Sequence, residues 1–221
     1  MLRFPRLRLL LGLSAIVGIT ACLDVTNPPE ADTQIRVINA SGSAINIFLD
    51  GNETVSSAAT SNVSAIFVTA GQHQLRFQAN GGLSTTLGVN TVSGQVVETY
   101  VISPNATSLT SAVLDTGSVV PLNKSKIRVV HLSRNVGAID IWRTQPDFLT
   151  PTRIQFPFPY LAATPFVQSD EGFWEVFITP EGGGPGNVLL STGQFRVESM
   201  GKRTIVLMDS ANTQVFRILP E

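Results

Sequence analysis

Apolar and polar side chains alternate with a period of two along much of this chain, the pattern of β-strands that bury one face. Residues 45–50 (INIFLD), 75–78 (LRFQ) and 195–198 (FRVE) follow this pattern. Residues 99–102 (TYVI) and 204–208 (TIVLM) are instead almost entirely apolar, which predicts central strands buried on both faces. No helical period is sustained after residue 22, so we predict an all-β fold.

The same order of segments occurs twice, and this internal repeat decides the predicted architecture. Residues 34–41 (QIRVINAS) recur as 126–133 (KIRVVHLS), and residues 45–48 (INIF) recur as 139–142 (IDIW). Turn-forming residues separate the segments about every eight to twelve positions, which is typical of a sandwich. We therefore predict two tandem immunoglobulin-like β-sandwiches. Further matches in the same order are Gly71, Leu75 and Phe77 with Gly172, Val176 and Ile178, and residues 99–102 with 204–207.

The N-terminus has the parts of a bacterial export signal. Three arginines within the first eight residues precede an apolar run, residues 9–19, which is shorter than the ~20 residues needed to span a bilayer. Residues 19–22 (ITAC) contain the only cysteine and resemble the lipobox of bacterial lipoproteins. The resemblance implies that Cys22 carries lipid and that residues 1–21 are removed. The alternatives are a non-lipidated signal cut after Ala21, or a cysteine that is only a small apolar residue.

The first residues after Cys22 bear on the localisation of the lipoprotein. Leu23 follows the cysteine and Asp24 comes one position later. In the enterobacterial sorting pattern, an Asp at the second mature position retains a lipoprotein at the inner membrane. Its absence at that position favours the outer membrane. We expect a protein of the cell envelope, attached to a membrane by its lipid.

The signal and the repeat together divide the chain. A proline-rich segment of the second half, residues 145–166, is predicted to be a loop or an edge excursion, since proline cannot donate to a central ladder. The predicted divisions are a lipoprotein signal peptide (1–21), a lipidated N-terminus and tether (22–33), a first sandwich (34–115), a linker (116–125) and a second sandwich (126–221).

Composition narrows the possible partners. Without residues 1–21, the chain has 12 Lys and Arg against 16 Asp and Glu, a net charge of −4. No basic face is implied, so we expect no nucleic-acid partner. The signal takes the only cysteine, so the mature chain has no disulfide, no cysteine-based metal site and no thiol nucleophile.

Segments of both halves resemble one bacterial envelope family, the domain of unknown function 4397. They are INIFLDG and AGQHQLRF in the first half, and IRVVHLS, AIDIW and EGFWEVFI in the second. The resemblance covers roughly residues 34–115 and 126–218. It departs at Asn39, where the family has His, and after Trp142, where the Asp-Gly turn is missing. The resemblance implies immunoglobulin-like sandwiches on secreted or lipid-anchored proteins, often in tandem, with no settled activity and no catalytic residues.

The motifs of catalysis are weak in this chain. Ser199 and Lys202 have Ser-x-x-Lys spacing, but that pair needs a helix, and here Gly201 predicts a hairpin turn. His131 and His73 alternate with apolar residues, which favours structural strand residues over a base or a metal ligand. We predict that the protein is not an enzyme and holds no cofactor.

Two acidic stretches have ordinary structural explanations. Asp170–Glu171, before Gly172, is interpreted as a polar turn rather than a calcium site. Asp50 and Asn52 share the spacing of a calcium-loop fragment, but the chemistry of an Asp-Gly hairpin accounts for them. No metal site is predicted.

Aromatic residues of the second half are the best candidates for contact with a ligand or partner. Within residues 156–160 (FPFPY), the prolines hold the chain extended and can direct Phe156, Phe158 and Tyr160 outward, or the rings can fold back over a sandwich edge. Trp142 and Trp174 complete the candidate set.

Three hypotheses of function follow. The first is a non-enzymatic, lipid-anchored envelope protein with a binding, adhesion or structural role, whose partner is an envelope protein or polysaccharide. The second is a carbohydrate-binding module, which requires a coplanar and exposed aromatic platform. The third is a hydrolase, for which the sequence offers neither nucleophile nor base. Exposure of the aromatic side chains separates the first two.

Overall fold

The computed structural model describes residues 33–114, 119–145, 150–210 and 213–220. Within these ranges the chain forms β-strands and no helix, which confirms the all-β prediction. No helix in the described part of the chain is long and apolar enough to cross a membrane. Cys22, the predicted signal peptide and the tether lie outside the described residues.

The first half of the described chain forms a sandwich of two four-stranded sheets. The strands are β1 (Thr33–Ala40), β2 (Ile45–Leu49), β3 (Asn52–Ala58), β4 (Val63–Val68), β5 (Gly71–Ala79), β6 (Ser84–Thr91), β7 (Val96–Asn105) and β8 (Ser108–Leu114). The sheet with the order β4-β1-β7-β8 is called the inner sheet, because it packs against the second half. The other sheet, with the order β3-β2-β5-β6, is the outer sheet.

The second half has the same arrangement. Its strands are β9 (Lys124–Leu132), β10 (Ile139–Thr144), β11 (Thr152–Phe158), β12 (Val167–Asp170), β13 (Gly172–Pro180), β14 (Leu190–Ser191), β15 (Phe195–Val197), β16 (Lys202–Ser210) and β17 (Thr213–Pro220). The inner sheet has the order β12-β9-β16-β17. The outer sheet has the order β11-β10-β13-β14, and β15 also pairs with β13.

Strand pairing matches between the halves down to its irregularities. β1 pairs in parallel with β7, and β9 pairs in parallel with β16. The β2–β3 pairing shifts register on both sides of Ile47, and the β10–β11 pairing shifts on both sides of Ile141. Gly71 and Gly172, which begin β5 and β13, both have a positive φ that favours glycine. The pairing therefore gives the central strands of one half counterparts in the other.

Among the described residues, three clusters of buried apolar side chains form the core. One lies between the two sheets of the first half, around Ile35 and Phe77, and a second lies between the sheets of the second half, around Ile127 and Ile178. The third joins the inner sheets and includes Ile38, Ile102, Leu132, Val206 and Met208. The inner sheets are therefore buried on both faces. Residues 204–208 are all buried, which confirms the prediction that they form a central strand. Burial on both faces explains why their side chains do not alternate between apolar and polar.

A buried charged group lies within the contact between the halves. Glu98 of β7 accepts hydrogen bonds at Oε2 from Arg128 Nη2 and, at 2.8 Å, from Thr204 Oγ1. Its other oxygen, Oε1, lies 3.8 Å from Nη1 of Arg36. The Arg128 guanidinium also stacks over the ring of Phe166, 4.3 Å from its centroid. These contacts compensate for removing the carboxylate from water.

The proline-rich segment of the second half lies at an edge of both sheets. Residues 152–158 form β11, the edge strand of the outer sheet, which is compatible with Pro157 because an edge strand has free positions. Farther along, Leu161 and Thr164 donate backbone hydrogen bonds to the carbonyls of His131 and Val129 on the inner sheet. The segment is thus the counterpart of β3 and of the connection that follows it.

Candidate functional site

An arginine–aromatic ladder lies on the outer face of the second half's outer sheet. It consists of Phe156 and Arg153 on β11, Trp142 on β10 and Phe177 on β13. The Arg153 guanidinium lies 4.1 Å from the centroid of Phe156 and 5.4 Å from that of Trp142. The rings of Trp142 and Phe177 are parallel within 4°, with their centroids 6.2 Å apart. Four side chains from three neighbouring strands therefore form one row.

Strand alternation and register place these side chains together. Ile139 and Ile141 point into the second core, so Trp142 points to the opposite face. Its direct neighbours across the sheet are Arg153 on one side and Phe177 on the other. The ladder is the set of cross-strand neighbours that the sheet presents outward.

Polar contacts hold the ladder in position. Trp142 Nε1 donates to Thr179 Oγ1 at 3.1 Å, which fixes the indole. Arg153 Nη1 lies 3.4 Å from Oδ2 of Asp140, a fully buried carboxylate. Asp140 Oδ1 is buried without a hydrogen-bond partner, so Arg153 is the cation that offsets this charge. Arg153 thus contacts both the buried Asp140 carboxylate and the aromatic rings of the ladder.

The ladder is not a flat aromatic platform. Trp142 is only partly exposed and lies between Arg153 and Phe177, so the indole has a protein group on either side. Phe177 is buried, whereas Phe156 is 53% exposed. A partner would therefore meet the ring of Phe156 and the edges of the other groups.

The structure separates the five aromatic residues predicted for contact. Trp142 and Phe156 belong to the ladder. Phe158 is only 2% exposed and stacks on His131, while Trp174 is 8% exposed and donates to the Asp170 carbonyl. Tyr160 is half-buried, with its ring 6.1 Å from His131. These five residues do not form one exposed coplanar surface.

Two members of the ladder, Phe177 and Arg153, are not predicted from the sequence. Phe177 lies in an apolar run that predicts a core strand. Its side chain points outward because Trp174, Val176 and Ile178 point into the second core. Arg153 lies in the proline-rich segment interpreted as a loop or edge. A signal was present, since an edge strand after Trp142 would place a cation beside the indole.

His131 has a structural role, as its strand pattern predicts. The residue is fully buried, with Nε2 3.1 Å from the carbonyl of Gly137 and Nδ1 accepting the N–H of Ser133 at 3.3 Å. These partners require a neutral ring with its proton on Nε2. Burial lowers the pKa of His131, against the opposing effect of the Gly137 carbonyl. Both nitrogens are engaged by backbone groups, so the ring does not act as a base.

His73 is in a contrasting environment. Its Nδ1 lies 2.9 Å from Oδ2 of Asp50 and its Nε2 lies 2.9 Å from the Thr69 carbonyl, so both nitrogens face acceptors. The hydrogen bond to Asp50 raises the pKa of His73. The pKa of Asp50 is lowered, first by the backbone N–H of Gln74 and then by His73. The pair borders a shallow cleft of about 560 Å³, with Asp50 in the turn between β2 and β3 and His73 on β5.

The remaining polar motifs form turns. Ser199 Oγ accepts the N–H of Asn123 at 2.9 Å, in a tight connection before β16 rather than on a helix. Asp170 forms an ion pair with Lys124, and hydrogen bonding from that lysine lowers the pKa of the carboxyl. Among the described residues, no group of three or more His, Cys, Asp or Glu is arranged to hold a metal ion.

The first half carries a smaller version of the ladder. Phe48 on β2 is the counterpart of Trp142, and the Arg76 guanidinium lies 3.7 Å from its ring centroid. The position of Arg153 is taken by Glu53, which lies opposite Phe48. The outer face of the first half therefore has one cation–aromatic pair and a carboxylate beside it.

Comparison with known proteins gives a family and distant structural neighbours. A model of the family described as a domain of unknown function, DUF4397, matches residues 33–142. No curated protein matches the chain.

Three solved structures resemble the chain at low identity. One, described as α-glucan binding by a streptococcal virulence factor, is 11% identical over 83% of this chain and 96% of that chain, with a TM-score of 0.24. A candidate cell adhesion protein from Bacteroides fragilis is 10% identical over 82% and 84% of the two chains, with a TM-score of 0.23. Another from Bacteroides uniformis is 10% identical over 87% and 97%, with a TM-score of 0.22. At these TM-scores the likeness carries no argument about function.

Proposed function

This chain belongs to the DUF4397 family of domains of unknown function, and we propose that it is a non-enzymatic, lipid-anchored envelope protein that binds a protein partner. In this proposal Cys22 carries the lipid, the two halves pack on each other through their inner sheets, and the arginine–aromatic ladder is the contact surface. The role is adhesion or assembly at the cell envelope.

The observation that carries the proposal is the ladder itself. It lies on the outer face of an outer sheet, where its side chains are not needed to close either sandwich core. Trp and Arg are enriched among the residues that contribute most to protein–protein binding, and Phe is enriched at interfaces generally. Packing and hydrogen bonds already fix Trp142 and Arg153, so little side-chain entropy remains to be lost on binding.

A protein partner fits this surface better than a sugar. Sugar rings stack on a wide and open aromatic face, whereas Trp142 is only partly exposed and has Arg153 and Phe177 as neighbours on either side. Phe156, 53% exposed, is the specific observation that keeps the carbohydrate-binding alternative. A protein anchor can instead insert beside Phe156 and meet the guanidinium edge of Arg153.

Site-specific photo-crosslinking tests this surface in intact cells. A photoreactive phenylalanine derivative replaces Phe156 in the full chain, and a matched control replaces Phe67, which is 66% exposed on β4. The proposal expects a discrete protein adduct from position 156 and not from position 67, and a weaker adduct when Arg153→Ala is added. A glycan adduct at position 156 would support the carbohydrate alternative, and the same pattern from both positions would contradict a specific site.

The lipid anchor has its own test. The Cys22→Ala variant should lose incorporation of labelled palmitate and partition out of the detergent phase, because only this cysteine can form the thioether to lipid. A variant that still incorporates label and remains with membranes would exclude the proposed anchor.

A further inference from the structure

Four exposed apolar side chains lie in turns at one end of the molecule. Val119 and Leu122 lie in the turn before β9, Met200 lies in the turn before β16, and Val92 lies in the turn before β7. All four side chains are exposed. A single exposed apolar side chain is normal on a protein surface, but these four lie together in the turns that lead into the inner sheets, and this arrangement calls for an explanation. We call this the proximal end, because β1 also begins here.

Hydrogen bonds join these turns to one another. Met200 donates its N–H to the Lys124 carbonyl at 2.7 Å, and Lys126 Nζ donates to the Val119 carbonyl at 3.0 Å. In the first half, Thr33 Oγ1 donates to the Val92 carbonyl at 3.3 Å. The apolar side chains are therefore presented from turns that the start of each inner sheet holds in place.

Both halves direct these turns to the same end. Near the start of its strand, Glu98 meets Arg128 and Thr204, which also lie toward the starts of β9 and β16. Toward the other end, the Ser103 carbonyl accepts a hydrogen bond from Arg134, which follows β9. β9 and β16 are neighbours in one inner sheet, and β7 of the other inner sheet runs in the same direction across the contact between the halves. The turns that precede them lie together.

We propose that the proximal end rests on the lipid surface, with Val119, Leu122 and Met200 in contact with the membrane interface. This inference rests on the lipid anchor of the proposed function. Thr33 stands eleven residues after Cys22, a covalent reach of at most about 40 Å, and it enters the sandwich at this end. Of the molecule's two ends, the proximal one is therefore tethered close to the lipid.

Charges of the described residues at the proximal end largely pair with each other and leave no excess of cations. Lys124 and Asp170 form an ion pair, with Nζ and Oδ1 2.5 Å apart, and Arg196 and Glu198 form a second one at 3.2 Å, while Glu171 adds an exposed carboxylate. The contact is therefore expected from apolar side chains rather than from attraction to anionic headgroups. It should persist in high salt, whereas an electrostatic attachment would weaken.

Fluorescence quenching by labelled lipids tests the contact on the full lipidated chain. Because lipid occupies the only native cysteine, Met200→Cys introduces the one free thiol for a fluorophore. Leu189→Cys is the matched control: Leu189 is 54% exposed against 56% for Met200, and it lines a cleft with Asn135 and Thr213 at the opposite end of the inner sheet. Vesicles of phosphatidylcholine carry a nitroxide on the acyl chain.

We expect at least a two-fold stronger quenching of the probe at position 200 than at position 189, and little change in high salt. Adding Leu122→Glu should reduce quenching at position 200, whereas Val188→Glu should not. Equal quenching at the two positions on vesicle-bound protein would overturn the contact while leaving the anchor intact. A parent protein that does not stay with the vesicles would overturn the anchor, and the contact with it.

Discussion

The two halves of the molecule carry different charged residues where their inner sheets pack on each other. Arg36 lies opposite Glu98 in the first half, and Arg128 lies opposite Thr204 at the corresponding position of the second. The arginine is kept in both halves, but only one half supplies a carboxylate. A single Glu98 therefore lies close to both arginines, and Thr204 donates a hydrogen bond to it.

This difference shows how two similar sandwiches come to pair with each other. Two copies of the first half, packed in the same way, would bring two Glu98 carboxylates together in a buried layer. Two copies of the second half would bury Arg128 from each copy without a carboxylate. Both alternatives leave like charges close together in a low-dielectric site, so the asymmetric position favours the pairing within one chain.

Removing that carboxylate is the strongest way to break the pairing. Glu98→Ala should destabilise the protein by about 3–5 kcal/mol, because it leaves Arg128 buried without its counter-charge. Urea unfolding measures the effect, and the double variant Glu98→Ala with Arg128→Met should recover part of the loss. A Glu98→Ala variant as stable as the parent would show that the pair does not hold the halves together.

The apolar part of the same contact should have the next largest effect. Val206→Ala leaves a cavity in the cluster between the inner sheets, and we expect a cost of about 1–3 kcal/mol. Val113→Ala, on the edge strand β8 and exposed, is the control and should change stability by less than ~0.5 kcal/mol. Thermal melts compare them, and equal melting temperatures would contradict a packed contact.

A second pair of corresponding positions shows different side chains in one role. Asn39 Oδ1 accepts the N–H of Ser41, and its Nδ2 donates to the carbonyls of Ser43 and Ala58. His131 accepts the N–H of Ser133 and donates to Gly137. Both side chains hold the loop that leads from the inner to the outer sheet.

This equivalence can be tested by exchange. His131→Asn should keep the hydrogen bond from Ser133 and lose less stability than His131→Ala, which leaves buried groups unpaired at about 1–3 kcal/mol. Chemical denaturation of both variants gives the order. If alanine and asparagine are equally damaging, the side chain acts through its volume and not through its hydrogen bonds.

The two histidines should give stability opposite pH dependences. The pKa of His131 is lowered in the folded protein, so the unfolded chain takes up a proton first as the pH falls. The contribution of neutral His131 to stability is therefore complete above about pH 6.5 and is lost as the pH falls through the folded pKa. The raised pKa of His73 gives a contribution that is complete below about pH 6.5 and is lost as the pH rises. Unfolding midpoints across this range for His131→Asn and His73→Gln should each lose one of these slopes. Unchanged slopes in both would assign the pH dependence to other groups.

The smallest effect is expected from the Ser-x-x-Lys motif. Ser199→Ala removes one hydrogen bond from the Asn123 N–H, an exposed turn contact worth about 0.5–1 kcal/mol at most. A melting temperature close to that of the parent is the expected result. A collapse of the fold in this variant, with Val206→Ala unaffected, would reverse the assignment of core and surface.

Local sequence pattern was enough for the fold class and the family. Period-two alternation, apolar strands such as 204–208 and the glycines at 71 and 172 are short-range signals, because they depend on which face each side chain takes and on the φ that a turn requires. The internal repeat added the prediction that the same order of strands along the chain occurs in both halves. A second copy of the pattern in one chain is information that no single segment carries.

The candidate site depended on contacts that local pattern does not contain. Phe156 and Phe158 have the same strand parity, yet one is 53% exposed and the other 2%, because the register shift between β10 and β11 changes the phase between them. Arg153 and Phe177 contact Trp142 from the strands on either side of it, so these contacts exist only once the three strands have formed the sheet.

The sequence by itself determined the all-β class, the order of the strands and the placement of apolar residues such as Val206 in buried central strands. Only the tertiary structure decided that the inner sheets pack on each other, that Glu98 lies between two arginines, and which aromatic rings face outward. The physical reason is one of range. Alternation and turn chemistry act between neighbours along the chain, whereas exposure, charge pairing and stacking depend on groups that are tens of residues apart and meet only after folding.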